Sequence, residues 1–178
     1  MNDAVALRDI TAFVYRCPLD SPVQTSFGTM SDRPMVAVRV VDTDGNQGWG
    51  EIWCNFPMVC AEHRARLVAS VFAPLVRGAR YDSPQQAYAT LARQTQVVSL
   101  QSAEPGPFAQ CLAGIDLAIW DVCARRAGQP WWRYLGGASY RIPVYASGLN
   151  QTSPEHLASD LQQRGCTRLN LEAGSGIV

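Results

Sequence analysis

Apolar and polar positions alternate with period two in two stretches near the start of the chain. Ala6 to Tyr15 mixes β-branched and aromatic residues in rough alternation and stops near Cys17-Pro18, which predicts a strand. Val36, Val38 and Val40 alternate with Ala37, Arg39 and Val41. Asp42-Thr43-Asp44-Gly45 then supplies turn chemistry and Gly48-Trp49-Gly50-Glu51-Ile52 returns, so a β-hairpin is expected here. Between these stretches, Pro18 to Pro34 shows no period and reads as an irregular loop, of a length uncommon unless the loop binds something or moves. Trp53-Cys54-Asn55-Phe56-Pro57 reads as a second, aromatic-rich loop.

The period then changes to that of a helix. Val68, Phe72, Leu75 and Val76 form one apolar face within Ala61 to Arg77. Ser83-Pro84 offers an N-cap and a proline at the first helical position, and Ala87, Leu91, Thr95 and Val98 follow on one face. After the break at Glu104-Pro105-Gly106-Pro107, Phe108 to Ala127 is apolar on nearly all sides, with Gly128 placed to end it, so this helix is expected to be buried. The rhythm changes again after Leu135-Gly136-Gly137. Arg141 to Ala146 reads as a strand, Ser153-Pro154-Glu155 starts a helix running to about Arg164, Gly165 stops it, and Cys166 to Glu172 reads as a strand. Such a unit implies a parallel pair joined by a right-handed crossover.

Composition narrows the function classes. Fifteen basic residues balance fifteen acidic ones, which leaves no electrostatic footprint for a phosphate backbone or an anionic membrane, so neither nucleic acid nor a membrane is an expected partner. All the basic residues are Arg and none is Lys, which removes Schiff-base chemistry and any lysine base. The six cysteines, Cys17, Cys54, Cys60, Cys111, Cys123 and Cys166, form no Cys-x-x-Cys pair and read as reduced, mostly buried thiols of a cytoplasmic protein. No secretory signal and no apolar run of about 20 residues is evident. Gly-x-Gly-x-x-Gly, phosphate-loop and Gly-x-Ser-x-Gly patterns are also missing, leaving nucleotide and serine-hydrolase readings without support.

Three segments in order carry a resemblance. They are Asp44-Gly45-Asn46-Gln47-Gly48-Trp49-Gly50-Glu51, then Ala113-Gly114-Ile115-Asp116-Leu117-Ala118-Ile119-Trp120-Asp121, then Ala127-Gly128-Gln129-Pro130 leading to Leu135-Gly136-Gly137. Together they resemble the enolase superfamily, in its mandelate racemase/muconate-lactonizing subgroup. The resemblance implies an α+β capping domain over residues 1–135, a three-stranded antiparallel meander followed by a helical bundle. It implies that residues 136–178 are the first strand–helix–strand unit of an incomplete TIM-like barrel, since a whole barrel takes about 250 residues.

The activity implied is abstraction of the proton α to the carboxylate of a hydroxy acid or sugar acid, with Mg²⁺ stabilising the resulting enediolate, as in dehydratases, racemases and cycloisomerases. The partners implied are a small carboxylate substrate and other copies of the chain. By position in the two selector-like loops, Ser26, Phe27, Trp53, Asn55 and Phe56 are the substrate-binding candidates; alternatively, Phe27, Trp53 and Phe56 pack the cap against a barrel. The family's lysine positions on the second barrel strand are filled by Asn170 and Glu172, and the strands that carry its metal ligands have no counterpart. No catalytic residue and no bound Mg²⁺ are therefore expected of this chain alone. The alternative is a free-standing binding or oligomerisation module derived from the cap.

Among other polar residues, Glu51 is expected to bond a nearby loop backbone or face an active site. Asp116 and Asp121 differ by about 140° around their helix and cannot share an ion, so a partner such as Arg125 or a loop amide is expected. His63 and His156 read as exposed.

Overall fold

The computed structural model describes residues 4–25, 28–55, 57–146 and 154–169. The chain divides into two compact units, Met1–Val23 with Thr29–Gly137, and Gln24–Gly28 with Ala138–Val178.

In the first unit the sheet has four strands, β1 (Val5–Thr25), β2 (Gly28–Asp42), β3 (Gln47–Ile52) and β4 (Arg80–Tyr81), in the order β3-β2-β1-β4. This corrects the expected three-stranded meander. The fourth strand pairs antiparallel with Val5 and Ala6 through two residues only, too few to show a period in the sequence. The expected loop from Pro18 to Pro34 is also corrected, because β1 continues to Thr25 and β2 begins at Gly28. The extended end of β1 is largely solvated, and at the start of β2 only Met30 and Pro34 are buried, too few apolar positions to show a period in the sequence.

The hairpin of β2 and β3 forms as expected, in register from Val36 opposite Ile52 to Val41 opposite Gln47. Buried Asp42 closes its turn: Oδ1 accepts the amides of Asp44 (3.0 Å) and Asn46 (2.8 Å), and Oδ2 accepts the Asn46 side-chain amide (2.8 Å).

Helix α1 (Ala61–Leu67) runs through a π-helical stretch (Val68–Phe72) into α2 (Ala73–Val76). Pro74 has no N–H to return to the carbonyl of Ser70, which explains the widened turn just before it. Helix α3 (Pro84–Gln101) starts where its N-cap predicts, with Ser83 Oγ accepting the Gln86 amide at 3.2 Å. Helix α4 (Pro105–Arg126) begins three residues before the expected Phe108, using Pro105 in its first turn, and gives way to Gly128 at φ +63°. A short α5 (Trp131–Tyr134) sets Tyr134 edge-on against Trp120 at 6.1 Å.

The core lies between β2, β3 and these helices. Val36, Val38, Val40 and Ile52 meet Phe72, Leu91, Ile115, Ile119 and Val122, all fully or almost fully buried. By length and apolar composition α4 could cross a membrane, contrary to the sequence expectation that no run approaches that length; 56% of the relevant stretch is buried in this core, the ordinary state of a central helix. β3 lies directly on α4 because Gly48, Gly50 and Gly114 have no side chains at the contact. A Cβ on any of them would come within 3.0 Å of atoms across it.

In the second unit, α6 (Pro154–Gln163) forms where expected, and Gly165 turns the chain at φ +89°. The flanking strands are corrected: among the described residues they reduce to one parallel bridge, Ala146 to Leu169, with the Ala146 amide donating to Arg168 O at 2.9 Å. Ile142 and Val144 are more than 70% exposed, so nothing described covers the side chains that would hold a strand in place.

Candidate functional site

Of the five substrate-binding candidates, Ser26, Phe27 and Phe56 lie outside the described residues, as do Asn170 and Glu172. Trp53 and Asn55 are described. The Trp53 indole is 53% exposed just beyond β3, and Asn55 is half-buried two residues on. Asn55 is held from the neighbouring ribbon: Arg33 Nη1, on β2, donates to its Oδ1 at 2.8 Å. This bond uses the oxygen of the amide and leaves its NH₂ donors for another acceptor.

Two further arginines hold the segments that frame this loop. Arg16 on β1 reaches Asp32 on β2 (3.0 Å) with one nitrogen and Glu62 in the first turn of α1 (2.8 Å) with another. The guanidinium holds the Glu62 carboxyl below its ordinary value. Arg64 is buried. Its Nε donates to Gln110 Oε1 on α4 at 2.8 Å, its Nη2 shares that acceptor at 2.5 Å, and its Nη1 donates to the Cys60 carbonyl at 2.9 Å. The end of the Trp53–Cys60 loop is thereby tied to the central helix. The Cys111 thiol, donating to the Arg64 carbonyl at 3.6 Å, is pushed up to about 12 by burial and is inert as a nucleophile.

Sequence reasoning did not single out Arg16, Asp32, Arg33, Glu62, Arg64 or Gln110. Their side-chain partners lie 16 to 46 residues away, beyond any local period. The one hint was compositional: a chain whose cations are all Arg supplies planar forks suited to holding several acceptors at once.

Other polar expectations divide. Asp121 accepts from Arg125 Nε (2.7 Å), as expected, and from a strand amide rather than a loop amide, that of Trp49 (2.9 Å) on β3. His63, expected to be exposed, is half-buried, with Nε2 2.6 Å from Glu104 Oε1. Glu51 is exposed and makes no hydrogen bond among the described residues. No disulfide joins the six cysteines among the described residues; Cys54, Cys111 and Cys123 are buried, Cys60 and Cys166 half-buried, and Cys17 exposed.

Asp116 departs from expectation, being half-buried with no hydrogen bond or ion pair among the described residues, and burial raises its carboxyl above the ordinary value. A carboxyl that holds its proton more tightly when folded opposes folding once both states are ionised; that penalty disappears as pH falls through the raised value to the unfolded value of about 4. Asp116→Asn is therefore expected to raise the melting temperature at pH 7, with a gain that shrinks towards pH 4. A lower melting temperature at pH 7 would show that the carboxylate is stabilised.

Two open grooves occur elsewhere. One of about 440 Å³ lies along α3 and α4 over Thr95, Ser99, Phe108 and Leu112, and one of about 500 Å³ lies in the second unit beside Val144 and Arg168. Neither includes Trp53 or Asn55. Among the described residues no three His, Cys, Asp or Glu side chains converge as a metal site.

An antiparallel sheet backed by a helical bundle, with a loop carrying Trp53 and Asn55 clamped at its rim, is the construction of a capping domain. Residues 8–136 match the N-terminal domain of the mandelate racemase/muconate lactonizing enzyme family, and the chain belongs to that family within the enolase superfamily. Its fold is similar to that of a mandelate racemase/muconate lactonizing enzyme from Bordetella bronchiseptica RB50, with 46% identity and a TM-score of 0.80 over 90% of this chain and 41% of that one. An enolase from Bradyrhizobium complexed with magnesium and mandelic acid shares the fold, with 22% identity and a TM-score of 0.79 over 99% of this chain and 47% of that one. Among curated proteins, the 3,6-anhydro-alpha-L-galactonate cycloisomerase of Streptomyces coelicolor is 26% identical over 142 residues, 79% of this chain and 38% of the relative. The chain thus spans less than half the length of each of these relatives.

Proposed function

We propose that this chain is the capping portion, with the start of the barrel, of an enolase-superfamily enzyme of the cytoplasm that abstracts the proton α to the carboxylate of a hydroxy acid or sugar acid. Residues 1–135 form the cap and residues 136–178 open the barrel. The observation that carries this reading is the match of residues 8–136 to the family's N-terminal domain. The partners are a small carboxylate substrate and further copies of the chain.

An α-proton beside a carboxylate is too weakly acidic for a side-chain base unless the developing dianion meets positive charge already in place. In a relative that binds magnesium, the ion is suited to that task. The described residues of this chain bring no three metal-ligating side chains together, so Mg²⁺ has no seat among them and no step is assigned through it. What this chain contributes is selection. Arg33 fixes Asn55 so that its NH₂ group is presented to a substrate hydroxyl or carboxylate oxygen, and the Trp53 indole excludes water from the bound acid. Ser26, Phe27 and Phe56 are the other substrate-binding residues proposed. The 178-residue chain alone is inactive.

The test is the intact mass of the product in its own cells, together with α-proton exchange in D₂O against a panel of hydroxy acids and sugar acids. A species of about 40 kDa, as a cap plus a barrel of about 250 residues requires, that exchanges the α-proton supports the reading. A species of 19.5 kDa without exchange overturns it in favour of a free-standing binding module.

A further inference from the structure

The face of the sheet turned away from the helices is built unlike an ordinary solvated surface. Val36, Val38 and Val40 of β2 point into the core, which puts Met35, Ala37, Arg39 and Val41 on the opposite side. There the Arg39 guanidinium and the rings of Phe13 and Trp49 form a triangle, 5.5 Å and 5.9 Å from guanidinium to ring centres and 5.8 Å from ring to ring. Tyr15, Met35 and Trp49 on this face are each at least 40% exposed. Aromatic residues, Met and Arg gathered on one exposed face are the composition of a contact surface.

The charges on this face indicate what covers it. Arg39 stands opposite Trp49 in the β2–β3 register, and Glu51 opposite Ala37, two residues along on the same side. Neither Arg39 nor Glu51 forms an ion pair among the described residues, and Arg39 Nε is shut off from solvent with no acceptor. Arg39 also acts on the carboxyl of Asp9 on β1, but that carboxyl is already bonded to Arg77 at 2.9 Å. A half-buried cation and an exposed anion, neither in an ion pair among the described residues, therefore sit side by side on an apolar face.

This arrangement is complementary to itself. A two-fold axis lying in the contact plane between them sets Arg39 of each copy against Glu51 of the other, as an isologous interface requires. We propose that the homo-oligomer inferred above assembles through this face, Arg39 to Glu51 in both directions around a centre of Phe13, Met35 and Trp49, a placement that rests on that inference. The partner surface is a second copy of the same chain.

Sedimentation of the full chain over a range of concentrations tests it. Arg39→Glu and Glu51→Arg are each expected to weaken dimerisation by about tenfold or more, and the double variant to restore it, because buried interface charges couple strongly. Met35→Glu, a change at an exposed position that leaves both charges in place, is expected to dissociate the dimer as well, and melting curves check that each variant is folded. A monomer at every concentration overturns both the homo-oligomer and this face. An oligomer that Met35→Glu and the single charge reversals leave intact overturns the face alone. Dissociation by the single reversals without rescue in the double variant overturns the Arg39–Glu51 pairing.

Discussion

Gly50→Ala is expected to cost about 3 kcal/mol or more, at the upper end of what an added core methyl group costs. The methyl would collide with the Gly114 carbonyl, the Ala118 amide nitrogen and Leu117 Cβ, and the first two are helix backbone that cannot rotate aside. Either β3 lifts from α4, exposing the buried contact between them, or the helix deforms and loses hydrogen bonds. For a domain stabilised by about 5–15 kcal/mol, that is a large share of the total. A fall in melting temperature of about 6–12 °C follows. Gly48→Ala and Gly114→Ala are expected to behave alike, since their added atoms strike Ala118 O and the Ile52 side chain, respectively. Gly106→Ala is the control: it lies in the first turn of α4 with open space around it and is expected to be neutral or slightly stabilising. A Gly50→Ala variant within 1 kcal/mol of the parent in urea would refute the direct seating of strand on helix.

Gln110→Leu is expected to cost about 3 kcal/mol. Among the described residues the buried Arg64 guanidinium has no carboxylate partner and is kept by neutral acceptors, two of its three bonds ending on the Gln110 oxygen. Removing that oxygen leaves a desolvated cation with one backbone carbonyl, and hydrogen bonds to charged groups carry about 1.5–3 kcal/mol each. Arg64→Met is expected to cost less, because it strands only the two neutral acceptors. The double variant should recover part of the Gln110→Leu loss, since apolar pairs replace buried polar ones at little cost. Urea midpoints with an unchanged slope provide the measurement. If the double variant were as unstable as the sum of the two singles, Arg64 and Gln110 would act independently.

These two contacts bear on the selecting role proposed for the domain. Gly48, Gly50 and Gly114 seat β3 on the central helix, and Trp53 and Asn55 follow within three residues of the end of that strand. Arg64 anchors the far end of the same loop to the same helix through Cys60 and Gln110, while Arg33 holds Asn55 from the ribbon. The loop is therefore tied at both ends to buried elements and in the middle to the exposed ribbon. A binding loop so fixed loses little entropy when it meets a ligand.

The sequence by itself determined the elements whose information is local. The valine alternation and the Asp-Thr-Asp-Gly turn specify the β2–β3 hairpin, Ser83-Pro84 specifies the start of α3, and the all-round apolar run before Gly128 specifies a buried α4. The order of the three glycine- and aspartate-bearing segments was enough to indicate the family, because those residues are demanded by close backbone contact and by the turn, and neither demand can be met otherwise. Only the tertiary structure decided the rest. Strand β4 depends on β1 arriving beside two residues that have no pattern of their own, and the long ribbon ends bury too few apolar side chains, Met30 and Pro34 of β2, to show a period. The clamp of Arg16, Arg33 and Arg64 joins residues far apart in the chain, and an arginine's side chain reaches whatever acceptor the fold brings near. Periodicity records which side of an element is dry; it carries no record of which distant acceptor a polar side chain will meet, and that is the information from which this site is built.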